Sequence, residues 1–175
     1  MKNILIVVDM QKDFVDGALG TNEAVAIVDN VVKKIENFDG DIIVTYDTHS
    51  EGYMDTQEGK NLPVPHCIKG SDGWKLDAEV QKVLDNKTYK VIEKPTFGST
   101  DLPEYIRANY DPSEIQIELI GLCTDICVVS NALLLKANFL ETQISVDSSC
   151  CAGVTPESHN AALLTMKMCQ INVTD

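Results

Sequence analysis

The stretch "EIQIELIGLCTDICVVSNALLLKANF", residues 114–139, decides the fold. Residues 114–121 are rich in isoleucine and leucine and predict a buried β-strand. Residues 124–139 predict a buried helix, because the segment is long and mostly apolar. A strand followed directly by a buried helix is one βα unit of an α/β protein.

The same alternation of strand and helix runs along the rest of the chain. Further strands are predicted at residues 3–9, 41–47, 88–94, 142–148 and 171–175. Further helices are predicted at residues 23–38, 75–85, 101–110 and 156–169, and a long loop at 48–73. Repeated βα units with nearly all-apolar strands are typical of a parallel sheet that is covered by helices on both faces. We therefore predict a three-layer α/β protein.

Length, composition and charge narrow the class of protein. The 175 residues suit one domain, here residues 1–175, and the 44% hydrophobic and 23% charged contents are ordinary for a soluble protein. A net charge of −13 repels phosphate groups, so we expect neither nucleic-acid nor membrane partners. The first apolar run is five residues long and ends at Asp9, too short for a signal peptide, which favours a cytoplasmic protein.

The glycine-rich phosphate-binding motifs are absent. No G-x-G-x-x-G follows the first strand, and no G-x-x-x-x-G-K-[ST] occurs anywhere in the chain. A dinucleotide or nucleoside triphosphate would therefore lack its usual phosphate cradle.

None of the cysteines belongs to a C-x-x-C pair, which weakens zinc-ribbon and thioredoxin interpretations. The six cysteines are Cys67, Cys123, Cys127, Cys150, Cys151 and Cys169. A disulfide or a metal site that includes Cys123 and Cys127 stays open, but no second thiol pair completes a tetrahedral site. Free thiols are the expectation for an intracellular chain of this size.

Three reactive side chains are predicted to lie at the carboxyl edge of the sheet, where sites form in open parallel sheets. Asp9 ends the first strand, Lys94 ends the third, and Cys127 lies in the first turn of the helix after the fourth. The positive end of that helix and a nearby lysine would favour a thiolate. The alternatives are that Asp9 caps a helix, Lys94 is solvated and Cys127 is a core residue.

The loop after the second strand contains a second group of polar residues. Asp47 and His49 alternate along the chain, so both side chains can point the same way, and His66 follows 17 residues later. Two imidazoles and a carboxylate suit zinc, iron or manganese, with Glu58 as a candidate fourth ligand. The alternative is that these loop histidines are solvent-exposed.

The motifs "VVDMQKDFV", "EKPTFGST", "GLCTDICVVSNAL" and "VDSSCCAGVTPESHNAALLTM" resemble those of the isochorismatase-like cysteine hydrolases. Within that superfamily, the D-x-H…H loop and "PHCIKGSDG" look like the nicotinamidase/pyrazinamidase branch, which binds a metal there. The resemblance implies a six-stranded parallel sheet. It also implies a catalytic triad of Asp9, Lys94 and Cys127, and metal ligands at Asp47, His49, His66 and Glu58.

The resemblance further implies a cis peptide between Leu122 and Cys123, which would aim the backbone N–H groups of Cys123 and Cys127 at one oxyanion. The implied reaction is hydrolysis of nicotinamide to nicotinate and ammonia through a Cys127 thioester, with one divalent metal, zinc before iron or manganese, on the ring nitrogen. Phe14 and Phe97 are candidate walls for the flat ring, although core packing would explain them equally well. Members of the superfamily assemble in several ways, which leaves room for a homo-oligomer.

Three other interpretations stay open. The protein could be another amidase of the superfamily that acts on a carbamoyl or ureido substrate. It could be a binding module with the same fold and no turnover. It could also be a redox sensor that uses Cys123 and Cys127, although their spacing at a helix start makes a disulfide geometrically uncertain.

Overall fold

All six strands of the computed structural model, which describes residues 1–175, pair in parallel in a single sheet of order β3-β2-β1-β4-β5-β6. The strands are β1 (Lys2–Val8), β2 (Asp41–Asp47), β3 (Tyr89–Lys94), β4 (Ile115–Leu122), β5 (Gln143–Ala152) and β6 (Asn172–Thr174). The predicted six-stranded parallel sheet is confirmed.

Helices cover both faces of this sheet. They are α1 (Lys12–Val15), α2 (Asn22–Asn37), α3 (Gln57–Asn61), α4 (Ala78–Leu84), α5 (Asp101–Asn109), α6 (Val129–Asn138) and α7 (Pro156–Met168). Side chains of successive strand residues point to opposite faces, so Ile4, Ile6 and Val8 pack on one side with α5, α6 and α7, while Leu5 and Val7 pack on the other with α2 and α4. Residues 4–8 of β1 are all apolar because both faces of this part of the strand are buried.

The structure differs from the sequence prediction in three places that matter for the site. The predicted loop 48–73 contains a 3₁₀ turn (Tyr53–Asp55) and helix α3, which carries Glu58. Strand β5 continues past residue 148 to Ala152, because this last stretch pairs with the end of β4 after an irregularity in the register.

The third difference is at the start of the helix that was predicted for residues 124–139. Its first turn, Thr124–Val128, is a π-helix, and the α-helix begins only at Val129. The N–H group of Val128 bonds the carbonyl of Cys123 at 3.0 Å, a five-residue step. The helix exists as predicted, but its first turn is wider than an α-helical turn. We call Thr124–Val128 the π turn.

All six cysteines are free thiols in the structure. No helix combines the length and the apolar composition that crossing a bilayer requires.

Candidate active site

The candidate site lies where the order of the strands reverses, at the carboxyl ends of β1, β2, β3 and β4. Asp9 follows β1 directly, Asp47 ends β2, Lys94 ends β3, and Cys127 lies in the π turn after β4. Since Asp47 and Lys94 are partners in the β2–β3 register, the lysine reaches across the end of β2 toward β1.

The structure brings Asp9, Lys94 and Cys127 together as a buried group. The Lys94 ammonium lies 2.6 Å from Asp9 Oδ2 and 3.4 Å from Cys127 Sγ. It also donates a hydrogen bond to the carbonyl of Thr96 at 3.1 Å. Lys94 is only 1% exposed, so the alternative of a solvated strand end is wrong.

Asp9 is held in a fixed orientation by the neighbouring strand. Its φ of 48° is in the left-handed region, which aspartate tolerates better than most residues. The Thr45 hydroxyl donates to Asp9 Oδ1 at 2.6 Å, and the Asp9 N–H donates to the Thr45 carbonyl at 3.2 Å. Apart from the ion pair with Lys94, Oδ2 has no hydrogen-bond partner, so it is the oxygen that can accept a proton. Asp9 caps no helix.

Burial opposes ionisation of the Cys127 thiol. It raises the pKa of Cys127 well above its usual value, and the negative charge of Asp9 adds to this effect while the Lys94 cation opposes it. Burial also raises the pKa of Asp9, although Lys94 opposes this shift. Desolvation of the sulfur therefore opposes the thiolate that the start of the helix and the lysine were expected to favour.

A neutral thiol beside a carboxylate and a lysine can still act as a nucleophile. The carboxylate can remove the thiol proton while the sulfur attacks, so a free thiolate need not accumulate. The lysine then keeps one positive charge beside the negative charges that develop. This arrangement is suited to covalent catalysis on a carbonyl compound.

Next to this group, four predicted ligands converge on one point. The ligand atoms of Asp47, His49, Glu58 and His66 all lie within 4.8 Å of one another. Oδ2 of Asp47 is 3.0 Å from His49 Nε2 and 3.5 Å from His66 Nε2, while Glu58 Oε1 is 3.6 Å and 3.8 Å from the same two nitrogens. Ligands about 2.1 Å from a zinc ion in a tetrahedron would be about 3.4 Å apart. The donor set therefore fits a small divalent cation.

The histidines are buried and oriented rather than solvent-exposed. His66 Nδ1 bonds the Val64 carbonyl at 2.8 Å, which turns Nε2 toward the other ligands. The backbone N–H of His49 donates to the Cys67 carbonyl at 2.9 Å. Burial alone would lower the pKa of His66, but its bonds to Asp47 and Val64 raise it overall.

Asp47 connects the two groups of side chains. Its Oδ2 faces the histidines, while Oδ1 lies 3.5 Å from the Lys94 ammonium. Gln11 holds its backbone, because the Gln11 amide donates to the Asp47 carbonyl at 2.9 Å and accepts from the Asp47 N–H at 2.8 Å. Burial would raise the pKa of Asp47, yet the bonds from His49 and His66 keep it well below its usual value.

Tyr53 is a site residue that sequence reasoning missed. Its buried ring lies 4.8 Å from the His49 ring and 5.0 Å from the His66 ring, between centroids, and its hydroxyl donates to the Leu62 carbonyl at 2.9 Å. The Thr56 side chain caps α3 by accepting from the Gly59 N–H and donates to the Tyr53 carbonyl. A tyrosine in a long loop carries no periodic signal that would have identified it.

The two candidate walls differ in their surroundings. Phe14 is buried, with its ring centroid 5.5 Å from that of His66. Phe97 is 43% exposed on the segment that follows Lys94.

The peptide between Leu122 and Cys123 is cis, as the resemblance implied. Trp74, which had no predicted role, donates from its indole to the Thr48 hydroxyl at 2.9 Å.

Comparisons with known proteins identify the family of this chain. Residues 3–175 match the family described as Isochorismatase domain. An isochorismatase family protein of Bacillus subtilis, PncA, is 31% identical over 176 residues, which cover 93% of each chain.

Solved structures are similar over the whole chain. The nicotinamidase/pyrazinamidase PncA from Bacillus subtilis superposes with a TM-score of 0.86 at 28% identity, over 100% of both chains. The pyrazinamidase of Pyrococcus horikoshii in complex with zinc gives 0.80 at 26%, over 100% of this chain and 99% of the other. N-carbamoylsarcosine amidase from Thermoplasma acidophilum gives 0.79 at 28%, over 99% and 96%. The predicted resemblance to the isochorismatase-like hydrolases, and to their nicotinamidase/pyrazinamidase branch, is confirmed.

Proposed function

We propose that this chain, which belongs to the isochorismatase family, is an amidohydrolase that converts nicotinamide into nicotinate and ammonia. The observation that carries the proposal is the buried group of Asp9, Lys94 and Cys127 directly beside a four-ligand cluster that fits a metal. The similar structures named nicotinamidase/pyrazinamidase and zinc-bound pyrazinamidase support the choice of substrate.

In the first step, Asp9 accepts the thiol proton while Cys127 Sγ attacks the carboxamide carbon. The new C–S bond pushes the carbonyl π electrons onto oxygen, and the backbone N–H groups of Cys123 and Cys127 stabilise that oxyanion. Lys94 lies within 3.4 Å of the sulfur and 2.6 Å of Asp9 Oδ2, so its cation balances the charge at both positions.

In the second step, the oxyanion re-forms the carbonyl and the C–N bond breaks. Asp9 transfers its proton to the departing nitrogen, which leaves as ammonia, and Cys127 remains as a thioester. Water then loses a proton to Asp9 and attacks the thioester carbon. The C–S bond breaks, the sulfur takes back the proton from Asp9, and the product leaves as nicotinic acid, which loses its proton to solvent and becomes nicotinate. The same carboxylate acts as base and acid in turn.

Asp47, His49, His66 and Glu58 would hold one divalent ion, with zinc proposed before iron or manganese. When bound, this ion would supply a Lewis acid for the pyridine nitrogen of the substrate and so fix the ring. The chain orients the same ring with Phe14, whose centroid lies 5.5 Å from that of His66. Correct orientation of the carboxamide over the sulfur can supply several kcal/mol of the rate enhancement.

The test is ammonia release from nicotinamide by purified protein, with metal content measured on the same sample. We expect release that a chelator abolishes, that added zinc restores and that Cys127→Ala lacks. Release that survives removal of all metal would contradict the role of the cluster. No release from metal-loaded protein would contradict the substrate.

A second candidate is an amidase that acts on a carbamoyl or ureido group, which the similarity to N-carbamoylsarcosine amidase favours. Such a substrate has no pyridine nitrogen, so the four-ligand cluster beside the triad would lack an obvious purpose. Assaying nicotinamide and N-carbamoylsarcosine side by side on the same metal-loaded sample separates the two candidates.

A further inference from the structure

Asn131 is a buried side chain near the site that the proposed reaction does not use. It lies on α6, four residues after Cys127, and it is completely buried. Its Nδ2 donates to the Cys127 carbonyl at 2.8 Å and to the Phe97 carbonyl at 3.1 Å. Its Oδ1 accepts from the Ser99 N–H at 2.9 Å. Both amide hydrogens and the carbonyl oxygen are therefore used, as a buried amide requires.

The bond to Cys127 lies where the helix changes its winding. The N–H of Val129 reaches back to the carbonyls of Thr124 and Ile126, which marks the end of the π turn. Two side chains also bond carbonyls of this turn: Ser130 Oγ donates to the Ile126 carbonyl at 2.6 Å, and Asn131 donates to the Cys127 carbonyl. The Asn131 amide thus fixes the peptide group that follows the sulfur-bearing residue.

The other two bonds hold the loop between β3 and α5, residues 95–100, which we call the β3–α5 loop. Lys94 donates to its Thr96 carbonyl, and Asn131 bonds its Phe97 carbonyl and Ser99 N–H. The Ser99 hydroxyl in turn accepts from the Leu102 N–H at 3.2 Å at the start of α5. The backbone of Phe97, a candidate wall of the substrate site, is thus held from both sides by buried side chains.

We propose that Asn131 is a positioning residue that couples the π turn to the β3–α5 loop, so that Cys127 and Phe97 keep a fixed relative placement. The role deepens the proposed amidohydrolase function and rests on it. A single planar amide bonds both segments, so a displacement of one is transmitted to the other.

Two variants separate the two halves of this role. Asn131→Asp keeps the size and an acceptor for the Ser99 N–H but loses both donors to the carbonyls of Cys127 and Phe97. Asn131→Thr keeps a hydroxyl that can bond the carbonyl four residues back, as threonine commonly does in helices, but it is too short to bond the loop.

The matched control is Asn138→Asp on the same helix. Asn138 Nδ2 also donates to the carbonyl four residues earlier, that of Leu134 at 2.9 Å, while its Oδ1 accepts from Arg107. Asn138 therefore makes the same kind of hydrogen bond within the helix as Asn131, but it contacts no residue of the site.

Three measurements are made on each folded variant: kcat and KM for nicotinamide, the alkylation rate of Cys127 by iodoacetamide, and hydrogen exchange in residues 95–100. For Asn131→Thr we expect a KM about tenfold higher, faster exchange in the loop and alkylation within about twofold of wild type. For Asn131→Asp we expect kcat to fall about 10- to 100-fold, since misplacement of about 1 Å costs that much. Its alkylation rate should also change severalfold. The control should match wild type in all three measurements.

The proposal is overturned if both Asn131 variants match the control in all three measurements. It is also overturned if a variant loses activity only in proportion to the fraction of its protein that is unfolded, while kcat and KM of the folded fraction are unchanged. If Asn131→Asp does not fold, the Asn131→Thr results decide by the same criteria. If wild type releases no ammonia from nicotinamide, the proposed function fails. Alkylation and hydrogen exchange still decide the role of Asn131 in that case, because neither measurement needs a substrate.

Discussion

Replacing Lys94 with methionine is expected to destabilise the protein more than replacing Asp9 with asparagine. The lysine side chain is fully buried and is the cation shared by two carboxylates, with Nζ 2.6 Å from Asp9 and 3.5 Å from Asp47. Methionine fills a similar volume but leaves the buried Asp9 carboxylate without a cation and Asp47 with only its two histidine partners. The asparagine side chain of the second variant removes only one of these charges, and Lys94 stays paired with Asp47.

The expected losses of stability follow from this difference between the two variants. Removing one partner of a buried ion pair costs about 3–5 kcal/mol, so Lys94→Met should lower the melting temperature by about 6–20 °C at about 2–4 °C per kcal/mol. Asp9→Asn leaves one imperfectly satisfied buried group and should cost about 1–3 kcal/mol. The double variant should be more stable than the sum of the two losses predicts, by about 1 kcal/mol or more.

The pH dependence gives an independent check. Burial already raises the pKa of Asp9 in the presence of Lys94, and removing the cation raises that pKa further. A carboxyl whose pKa is higher in the folded than in the unfolded state binds more protons when folded. Its folded state is therefore stabilised at low pH and loses that stability as the pH rises through the folded pKa. The loss of unfolding free energy in Lys94→Met relative to wild type should be smaller at about pH 5.5 than at about pH 8.

The assay is urea unfolding of chelator-treated wild type, both single variants and the double variant at the two pH values. Lys82→Met, which changes an exposed lysine on α4, is the matched control and should be neutral within about 0.5 kcal/mol. If Lys94→Met costs no more than this control, or if its deficit grows on acidification, the electrostatic reasoning is refuted.

Three further results are expected. Cys127→Ala should abolish ammonia release while Cys123→Ala retains it, because only the backbone N–H of Cys123 is used; release assays on both variants check this. Asp9→Asn should abolish hydrolysis yet speed alkylation of Cys127 at about pH 8, because the charge of Asp9 helps to raise the pKa of that thiol. Glu58→Gln should weaken zinc binding at least about tenfold in a chelator competition, whereas Glu51→Gln, in the same loop but exposed, should not.

Each of these expectations has a contradicting outcome. Equal losses in the two cysteine variants would remove Cys127 from its assigned role. Slower alkylation in Asp9→Asn would mean that Asp9 activates the resting thiol rather than opposing its ionisation. Unchanged zinc affinity in Glu58→Gln would exclude that carboxylate as a ligand.

The sequence alone was enough to predict the architecture and the location of the site. Apolar strands followed by helices predict a parallel sheet, and the carboxyl ends of parallel strands share one edge. Asp9, Lys94 and the start of the 124–139 helix were therefore expected at that edge, and the structure brings them into contact. The spacing of Asp47, His49 and His66 likewise indicated a shared ligand set, because alternating residues at a strand end can face the same way.

Only the tertiary structure decided how these residues act together. Whether Cys127 rests as a thiol or a thiolate depends on its burial and on charges contributed by β1 and β3, which local sequence does not encode. The same holds for the short helix that brings Glu58 to the histidines, for Tyr53 against their rings, and for Asn131 between two distant segments. The physical reason is that desolvation and hydrogen bonds between distant segments depend on which residues the fold places in contact, whereas periodicity reports only which face of an element is buried.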